Sequence, residues 1–281
     1  MFKAIKYFFK NRRSAKRKKI LGPYAKGVIY ETENGIIALP TQDIAMGKAL
    51  GFKGEWDIDE IKIITRLINY DDVIYIVGTH VGTLLVPIVK IAGKIVGYEA
   101  NHNTFDFMQM NIQLNALENV KLFNNAVGDA FRTVSFYQNT VNTGGSKIKP
   151  VSDVLSYTYD NPKKVQVDMI MLDDHISIQD LPTPKGLLMD IEGAEYYALK
   201  GMQKTMGHLR FFYMEFVPHH LKNVSNVTIE TFAALLCPHF NTAQFLKSDK
   251  TISIAKKPEI FIAYLKELTS RDQADDILFT K

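Results

Sequence analysis

From residue 73 onward, apolar runs and amphipathic stretches take turns along the chain. Residues 73–77 read as a strand, 82–92 as a helix, 95–99 as a strand, 104–114 as a helix and 120–124 as a strand. Five alternating elements in that order predict βαβαβ units on a parallel sheet. The pattern continues with short strands at 131–137 and 165–172, a buried strand at 186–190, a helix from 193 to about 206 and a strand at 210–216. A helix at 228–237 follows, and the apolar runs 251–255 and 260–265 are expected to close the sheet. Pro87 falls inside the first crossover helix, where it either kinks the helix or moves its start. Upstream, residues 27–40 read as a hairpin turned at Asn34-Gly35. Ile58, Ile61, Ile64, Leu67 and Ile68 then mark an amphipathic helix with Asp57 as its expected cap.

At 281 residues and 46% apolar composition, the chain is long enough for one large core. A single cysteine, Cys237, excludes a disulfide framework and a multi-cysteine metal site, and with no secretory signal in view the expectation is a reducing, cytoplasmic setting. No apolar run reaches membrane-spanning length. The net charge of +4 hides an asymmetry: residues 1–19 carry nine Lys or Arg and no acid, which leaves 25 basic against 30 acidic residues elsewhere. A mildly acidic body argues against a nucleic-acid partner, whose phosphates need basic residues spread over a folded surface. The basic arm places Phe2, Ile5 and Phe9 at helical spacing ahead of Arg12-Arg13 and Lys16 to Lys19. That pattern suits peripheral contact with the inner, anionic face of a membrane, the other reading being a solvated arm. The expected organisation is therefore a basic arm (1–22), a small accessory region containing the hairpin (23–56) and an α/β domain (57–281).

Candidate chemistry gathers where predicted strands end. The segment 187–195 delivers Asp190, Glu192 and Glu195 at a strand-to-helix junction, the place where α/β enzymes keep reactive groups. Glu192 and Glu195, three apart, are expected to share one face of the following helix. Gly78, Thr79, His80 and Gly82 form the turn after the first core strand, with glycines where backbone approaches a ligand. Glu99 ends the second strand at a spacing suited to ribose hydroxyls. Residues 124–129, including Ala126, Val127 and Asp129, are small or polar groups suited to flank an adenine ring. An adenosine-containing ligand across the first three strands is the reading. Glu215 ends the next strand at the same rim, and His219 and His220 follow it as alternative bases. Carboxylates including Asp173 and Asp174 raise Mg²⁺ as a weaker expectation, and no metal ligand is assigned. The loop 139–149, rich in Asn, Thr, Gly and Ser, suits a hydroxylated acceptor, with Trp56, Tyr137, Tyr157 and Tyr159 as candidate stacking rings.

Taken together these motifs resemble the FkbM-type methyltransferases over roughly residues 50 to 265. The resemblance rests on Gly54-Glu55-Trp56 with Glu60, the 78–82 turn, Tyr98-Glu99-Ala100-Asn101, Asn111 to Asn119, Asn125 to Asp129, Asn142-Thr143-Gly144-Gly145-Ser146, Leu172-Asp173-Asp174, Met189 to Glu195 and Met214-Glu215-Phe216. It implies a class I Rossmann-like fold, a mostly parallel seven-stranded sheet with helices on both faces. It also implies S-adenosylmethionine as cofactor, held by Gly78, Thr79, His80, Gly82, Glu99, Asn101, Ala126, Val127 and Asp129. It implies methyl transfer to a hydroxyl of a sugar or glycan-type acceptor, resting on Asp190 and Glu192 first, then Glu215 and His219. The glycine turn departs from the family pattern Asp-x-Gly-Ala-Asn-x-Gly, with Ile76 at the acidic position and Thr79-His80 for Ala-Asn. Ile76 and His80 motivate one rival, a non-catalytic relative that binds a nucleoside-like ligand or a partner; a second, a dinucleotide-dependent oxidoreductase on a similar fold, is opposed by the incomplete glycine pattern and the Asp190 to Glu195 block.

Overall fold

The computed structural model describes residues 2–281, with side chains from residue 4 onward. Phe2, counted in the arm's helical spacing, therefore has its side chain outside the described residues. Helix α1 (Phe2–Leu21) leads into the hairpin β1 (Gly27–Thr32) and β2 (Gly35–Pro40), helix α2 (Ile44–Lys53) and helix α3 (Ile58–Thr65). The α/β unit then runs β3 (Val73–Val77), α4 (Leu85–Val89), β4 (Lys94–Tyr98), α5 (His102–Leu114) and β5 (Val120–Phe123). A satellite sheet follows from β6 (Ala126–Gly128), β7 (Arg132–Gln138), β8 (Lys147–Ile148) and β9 (Lys163–Met171). The chain returns through β10 (Gly186–Met189), β11 (Phe211–Phe216), β12 (Thr242–Phe245), β13 (Lys250–Ser253) and β14 (Asp275–Thr280).

The main sheet has the order β13-β12-β14-β11-β10-β3-β4-β5. Five strands from β11 to β5 are mutually parallel, and β14 enters antiparallel between β11 and β12. The expected α/β fold is present, but the sheet has eight strands rather than seven, because β13 hairpins back onto β12.

Alternation along the strands separates two apolar layers. Tyr75, Val77, Leu187, Met189, Phe212 and Met214 face helices Glu195–Lys200, Gln203–His208, Ile229–Ala234 and Pro258–Ser270. Ile74, Ile76, Leu188, Phe211 and Tyr213 face α3, α4 and α5. With both faces covered, the central strands are apolar at nearly every position, which is why they were visible as unbroken runs.

Several elements differ from expectation. The helix expected over 82–92 is only α4; Pro87 sits in its first turn, where no intrahelical N–H is needed, so the proline sets the start of the helix rather than kinking it. The helix expected from 193 to about 206 is two short ones broken at Gly201, where a Cβ would stand 2.0 Å from the Gly128 carbonyl oxygen. Residues 260–265 do not close the sheet. They lie in helix Pro258–Ser270, whose buried Phe261, Tyr264, Leu265 and Leu268 follow helical spacing, and β14 takes the sheet position instead. Asp57 does stand at the start of α3, but with φ of 49° and no capping hydrogen bond.

Asparagines lock the hairpin onto the sheet domain. Buried Asn34 accepts from the Trp56 N–H (2.8 Å) and donates to the carbonyls of Trp56 (2.7 Å) and Thr83 (2.9 Å). Asn111 on α5 exchanges two hydrogen bonds with the Ala38 backbone. These contacts hold Trp56 and Asp57 over the carboxyl ends of the central strands.

Candidate active site

A cleft of about 370 Å³ opens where β3 and β10 are neighbours and the chain leaves them in opposite lateral directions. Such a switch point is where doubly wound sheets bind ligands. One half is built by the ends of β3, β4 and β5. Gly78 has φ of 88°, and a Cβ there would lie 1.8 Å from the Asp190 carbonyl oxygen, so only glycine lets the β3 and β10 ends approach so closely. His80, also left-handed at φ 50°, donates its backbone N–H to Glu99 Oε2 (2.7 Å). Glu99 Oε1 accepts from the Asn101 N–H (2.8 Å) and Thr104 Oγ1 (3.0 Å). Oε2 thus keeps a lone pair for a ligand hydroxyl. Burial raises this carboxyl above its ordinary range, while the three donors pull it back.

The His80 ring can be oriented by elimination. Thr143 gives both its N–H (2.7 Å) and its hydroxyl hydrogen (2.6 Å) to Asp43 Oδ2, so its oxygen must accept from His80 Nε2–H at 2.6 Å. His80 Nδ1 is then a bare acceptor, buried and unpartnered, as is Thr79 Oγ1. Burial holds the ring below its ordinary pKa, which keeps it neutral. Two orphaned polar atoms on the glycine turn fit a ligand with a polar end there.

The other half of the cleft is acidic. After β10 the backbone makes a left-handed turn at Glu192 (φ 55°) and Gly193 (φ 105°). Glu195 folds back to accept from the N–H groups of Ile191 (3.1 Å) and Gly193 (3.2 Å), and Ser225 Oγ donates to the Gly193 carbonyl (2.5 Å). Left-handed backbone at a non-glycine residue costs of order 1 kcal/mol, and this network sustains it. Glu192 therefore stands outside the helix that begins at Glu195, and the two do not share a helical face as expected. Instead Glu192 Oε2 meets Lys147 Nζ at 2.8 Å and His220 Nε2 at 3.2 Å. Lys147 is buried on β8, its ammonium 4.4 Å from the centroid of the Tyr157 ring. Trp56, Asp57, Glu60, Glu215, Lys247 and Asp276 complete the wall.

Crowding divides these groups. Although loss of hydration works against its charge, Glu192 is held below the ordinary range, first by Lys147 and then by His220. His220, desolvated beyond what Glu192 repays, is pushed down to about 3 and stays neutral, so its Nε2–H donates to the carboxylate. Asp190 opens onto the cleft. Desolvation, followed by Glu215 and Glu192, raises it well above the usual carboxyl range. Glu215 is pushed up to about 8 by desolvation, Glu192 and Asp276, and Asp57 to about 6 by desolvation and Glu60. Carboxyls whose pKa values are driven apart in one cleft are what acid–base chemistry uses.

Of the residues expected from sequence, Gly78, Thr79, His80, Glu99, Ala126, Val127, Asp190, Glu192 and Glu215 line this cleft together. Four others do not. Gly82 packs against Met108, and Asn101 caps α5 while bonding Ser146 and Gln138. Asp129 is taken by Arg132 and Lys200. His219 Nδ1 meets the Tyr157 hydroxyl (2.7 Å), leaving His220 as the histidine on Glu192. Asp173 caps helix Gln203–His208 through the N–H groups of Lys204 and Thr205. Among the described residues, no group of three or more His, Cys, Asp or Glu side chains is placed to hold a metal ion. Ile76 is sealed in the core beneath α4 and never faces the cleft. Lys147, Lys247 and Asp276 escaped the sequence reading; only the glycine-rich stretch just before Lys147 hinted at the first.

The methyltransferase FkbM domain profile matches residues 77–249. No curated protein matches the chain by sequence. Similar solved structures include the methyltransferase FkbM of Methylobacillus flagellatus KT, 15% identical over 54% of this chain and 34% of that one, with a TM-score of 0.37. This chain thus spans about a third of that protein's length. Precorrin-6y C5,15-methyltransferase of Geobacter metallireducens GS-15 is 10% identical over 80% of this chain and 89% of its own (TM-score 0.42). An rRNA methylase of Streptococcus thermophilus is 6% identical over 79% and 94% (TM-score 0.43). The profile takes in more than half of the chain, including the glycine turn, Glu99, the Asp190–Glu195 turn and Glu215, and the chain belongs to the FkbM methyltransferase domain family.

Proposed function

We propose that this chain transfers the methyl group of S-adenosylmethionine to a hydroxyl of a sugar or glycan-type acceptor. The observation that carries the reading is the meeting, at Asp190, of a half-cleft built by the glycine turn and Glu99 with an acidic half-cleft. Gly78, Thr79, His80, Glu99, Ala126 and Val127 would hold the cofactor, with Glu99 toward the ribose and the bare His80 Nδ1 and Thr79 Oγ1 toward its polar end. When bound, the cofactor supplies an electrophilic methyl group on sulfur. An acceptor hydroxyl must then be aligned with it and give up its proton.

Asp190, at the end of β10 and open to the cleft where the two halves meet, is placed to take the proton. Glu192, fixed as an anion by Lys147 and His220, accepts a hydrogen bond from the acceptor and orients it. Glu215 and Asp57, partly protonated near neutrality, can both donate to and accept from hydroxyls beside the Trp56 ring, a combination that suits a polyol. No step in this scheme needs Mg²⁺. The test is transfer of isotopically labelled methyl from the cofactor to a panel of sugars, nucleotide sugars and glycans, in wild type and in Glu192→Gln. Label on a hydroxylated acceptor that is lost in the variant supports the reading; label confined to amine or carbon acceptors overturns it.

The departures at Ile76 and His80 favour one second reading. Ile76 lies beneath the cleft rather than in it, but together with His80, which stands in the glycine turn where the family carries Asn, it marks a departure from the family's cofactor motif; on this reading the chain binds a nucleoside-like ligand or a partner without turnover. Cofactor binding with no transfer to any acceptor would select it.

A further inference from the structure

Helix α1 has two unlike faces. Toward the body, Tyr7 stacks on Tyr159 with ring centroids 4.3 Å apart, and Asn11 Nδ2 donates to the Tyr159 carbonyl (2.6 Å). Ser14 Oγ donates to the Gln42 carbonyl (2.6 Å), and Arg17 reaches the Asp43 carbonyl (3.2 Å) and the Tyr30 hydroxyl. These residues recur at helical spacing and fix the helix on the protein. The opposite face is solvent-exposed along its length. Ile5 (47%), Phe8 (56%) and Phe9 (52%) stand out near one end, Ile20 (71%) near the other, and Arg12, Arg13, Lys16 and Lys19 lie exposed between them. The Arg12 guanidinium lies over the Phe8 ring at 5.8 Å, so cation and ring form one surface.

A face whose only need were solubility would not hold out two adjacent phenylalanines, and one serving only an acidic protein or nucleic acid would not need them. Apolar groups flanked by cations, with no acid in the first 19 residues, match the layering of an anionic bilayer: rings reach the acyl boundary while Lys and Arg stay at the headgroups. The rest of the chain, with more acidic than basic residues, would be repelled by the same surface, so orientation is decided by this helix. No helix among the described residues is long and apolar enough to cross a membrane, so α1 would lie on the surface rather than span it. We infer that the outward face of α1 docks the protein on an anionic lipid surface. Because α1 holds the backbone of Asp43, whose carboxylate holds Thr143 against His80, the docked helix sits two side chains from the glycine turn. The inference does not depend on the chemistry proposed for the cleft.

The test is co-sedimentation of the full chain with vesicles of phosphatidylcholine alone or mixed with phosphatidylserine, over a range of salt. Two variants remove only exposed groups: one carries Arg12→Gln, Arg13→Gln, Lys16→Gln and Lys19→Gln, the other Phe8→Ser and Phe9→Ser. Binding is expected only with phosphatidylserine, weakening as salt rises and at least about tenfold weaker in either variant. The charge variant should also lose its salt dependence while the phenylalanine variant keeps it. A Phe9→Trp variant, whose only other tryptophan is Trp56, should show quenching by brominated lipid even if the multiple variants fold poorly. Three results overturn the inference: no binding to phosphatidylserine vesicles, self-association abolished by the phenylalanine changes, or tighter binding to RNA that ignores them.

Discussion

Replacing Lys147 with methionine isolates the contact on which the acidic half of the cleft depends. The change keeps most of the apolar stem and removes the charge 2.8 Å from Glu192 Oε2. At an effective dielectric of about 20, that separation corresponds to roughly 6 kcal/mol of attraction, much of it already spent on desolvating the pair. Lys147 is almost fully buried and Glu192 about one-fifth exposed, so the variant strands a carboxylate that retains only the neutral His220 as partner. The expected loss of stability is about 3 kcal/mol, a fall in Tm of roughly 6–12 °C for a chain of this size. Glu192→Gln should cost less, and the double variant less than the two changes summed, with a coupling of at least about 1.5 kcal/mol. The sign with pH follows from the lowered folded pKa of Glu192. Its contribution is present above the unfolded value of 4.5 and is lost as pH falls through the folded one, so wild type and Lys147→Met should converge in strong acid. Calorimetric unfolding of the four proteins, with circular dichroism as a check on the native fold, reads both. A Lys147→Met protein as stable as wild type, or an additive cycle, would refute the reasoning.

Glu192→Gln should lower kcat by about 100-fold or more while leaving affinity for S-adenosylhomocysteine within about twofold, checked by turnover and titration; a fully active variant removes Glu192 from the chemistry. Glu215, raised to about 8 in the fold, favours folding below its unfolded value of 4.5 and loses that contribution as pH rises through about 8. Glu215→Gln should therefore melt several degrees above wild type at pH 9, and an unchanged melting curve there would contradict the crowding described. His220, lowered to about 3, behaves oppositely: its contribution is present above 6.5 and declines as pH falls, so His220→Gln should flatten the loss of stability between pH 6.5 and 4. Thr143→Val removes the acceptor for His80 Nε2–H and should weaken cofactor binding by roughly tenfold, about 1.4 kcal/mol, with little change in the acid half.

What could be read from sequence followed from which forces act locally. Strands β3, β4, β10 and β11 are buried on both faces, so their runs announce themselves, and the carboxylates at their ends mark the rim. β14 stayed hidden because its apolar core, Ile277 to Phe279, is short and follows two acids, while the longer run at 260–265 belongs to a helix. That Glu192 would stand at the rim of the cleft was legible, but not its partners. Lys147 arrives from a two-residue strand of a separate sheet, 45 positions away, and nothing in its neighbourhood shows that it will be buried. The choice between His219 and His220 depended on the turn after Pro218, which directs one ring to Tyr157 and the other to Glu192. Asn101, Gly82 and Asp129 stood in the right motifs but serve a cap, a packing contact and an ion-pair cluster. Motif membership places a backbone segment; it does not say which side chains of that segment turn inward.

Isothermal titration of the purified chain with S-adenosylmethionine, S-adenosylhomocysteine and NAD tests the central claim most directly. One site for each of the two sulfur compounds, none for NAD, and weakened binding in Thr143→Val are the results expected of a methyl-transferring cleft built on the glycine turn and Glu99. No binding of either sulfur compound up to millimolar concentration would contradict it.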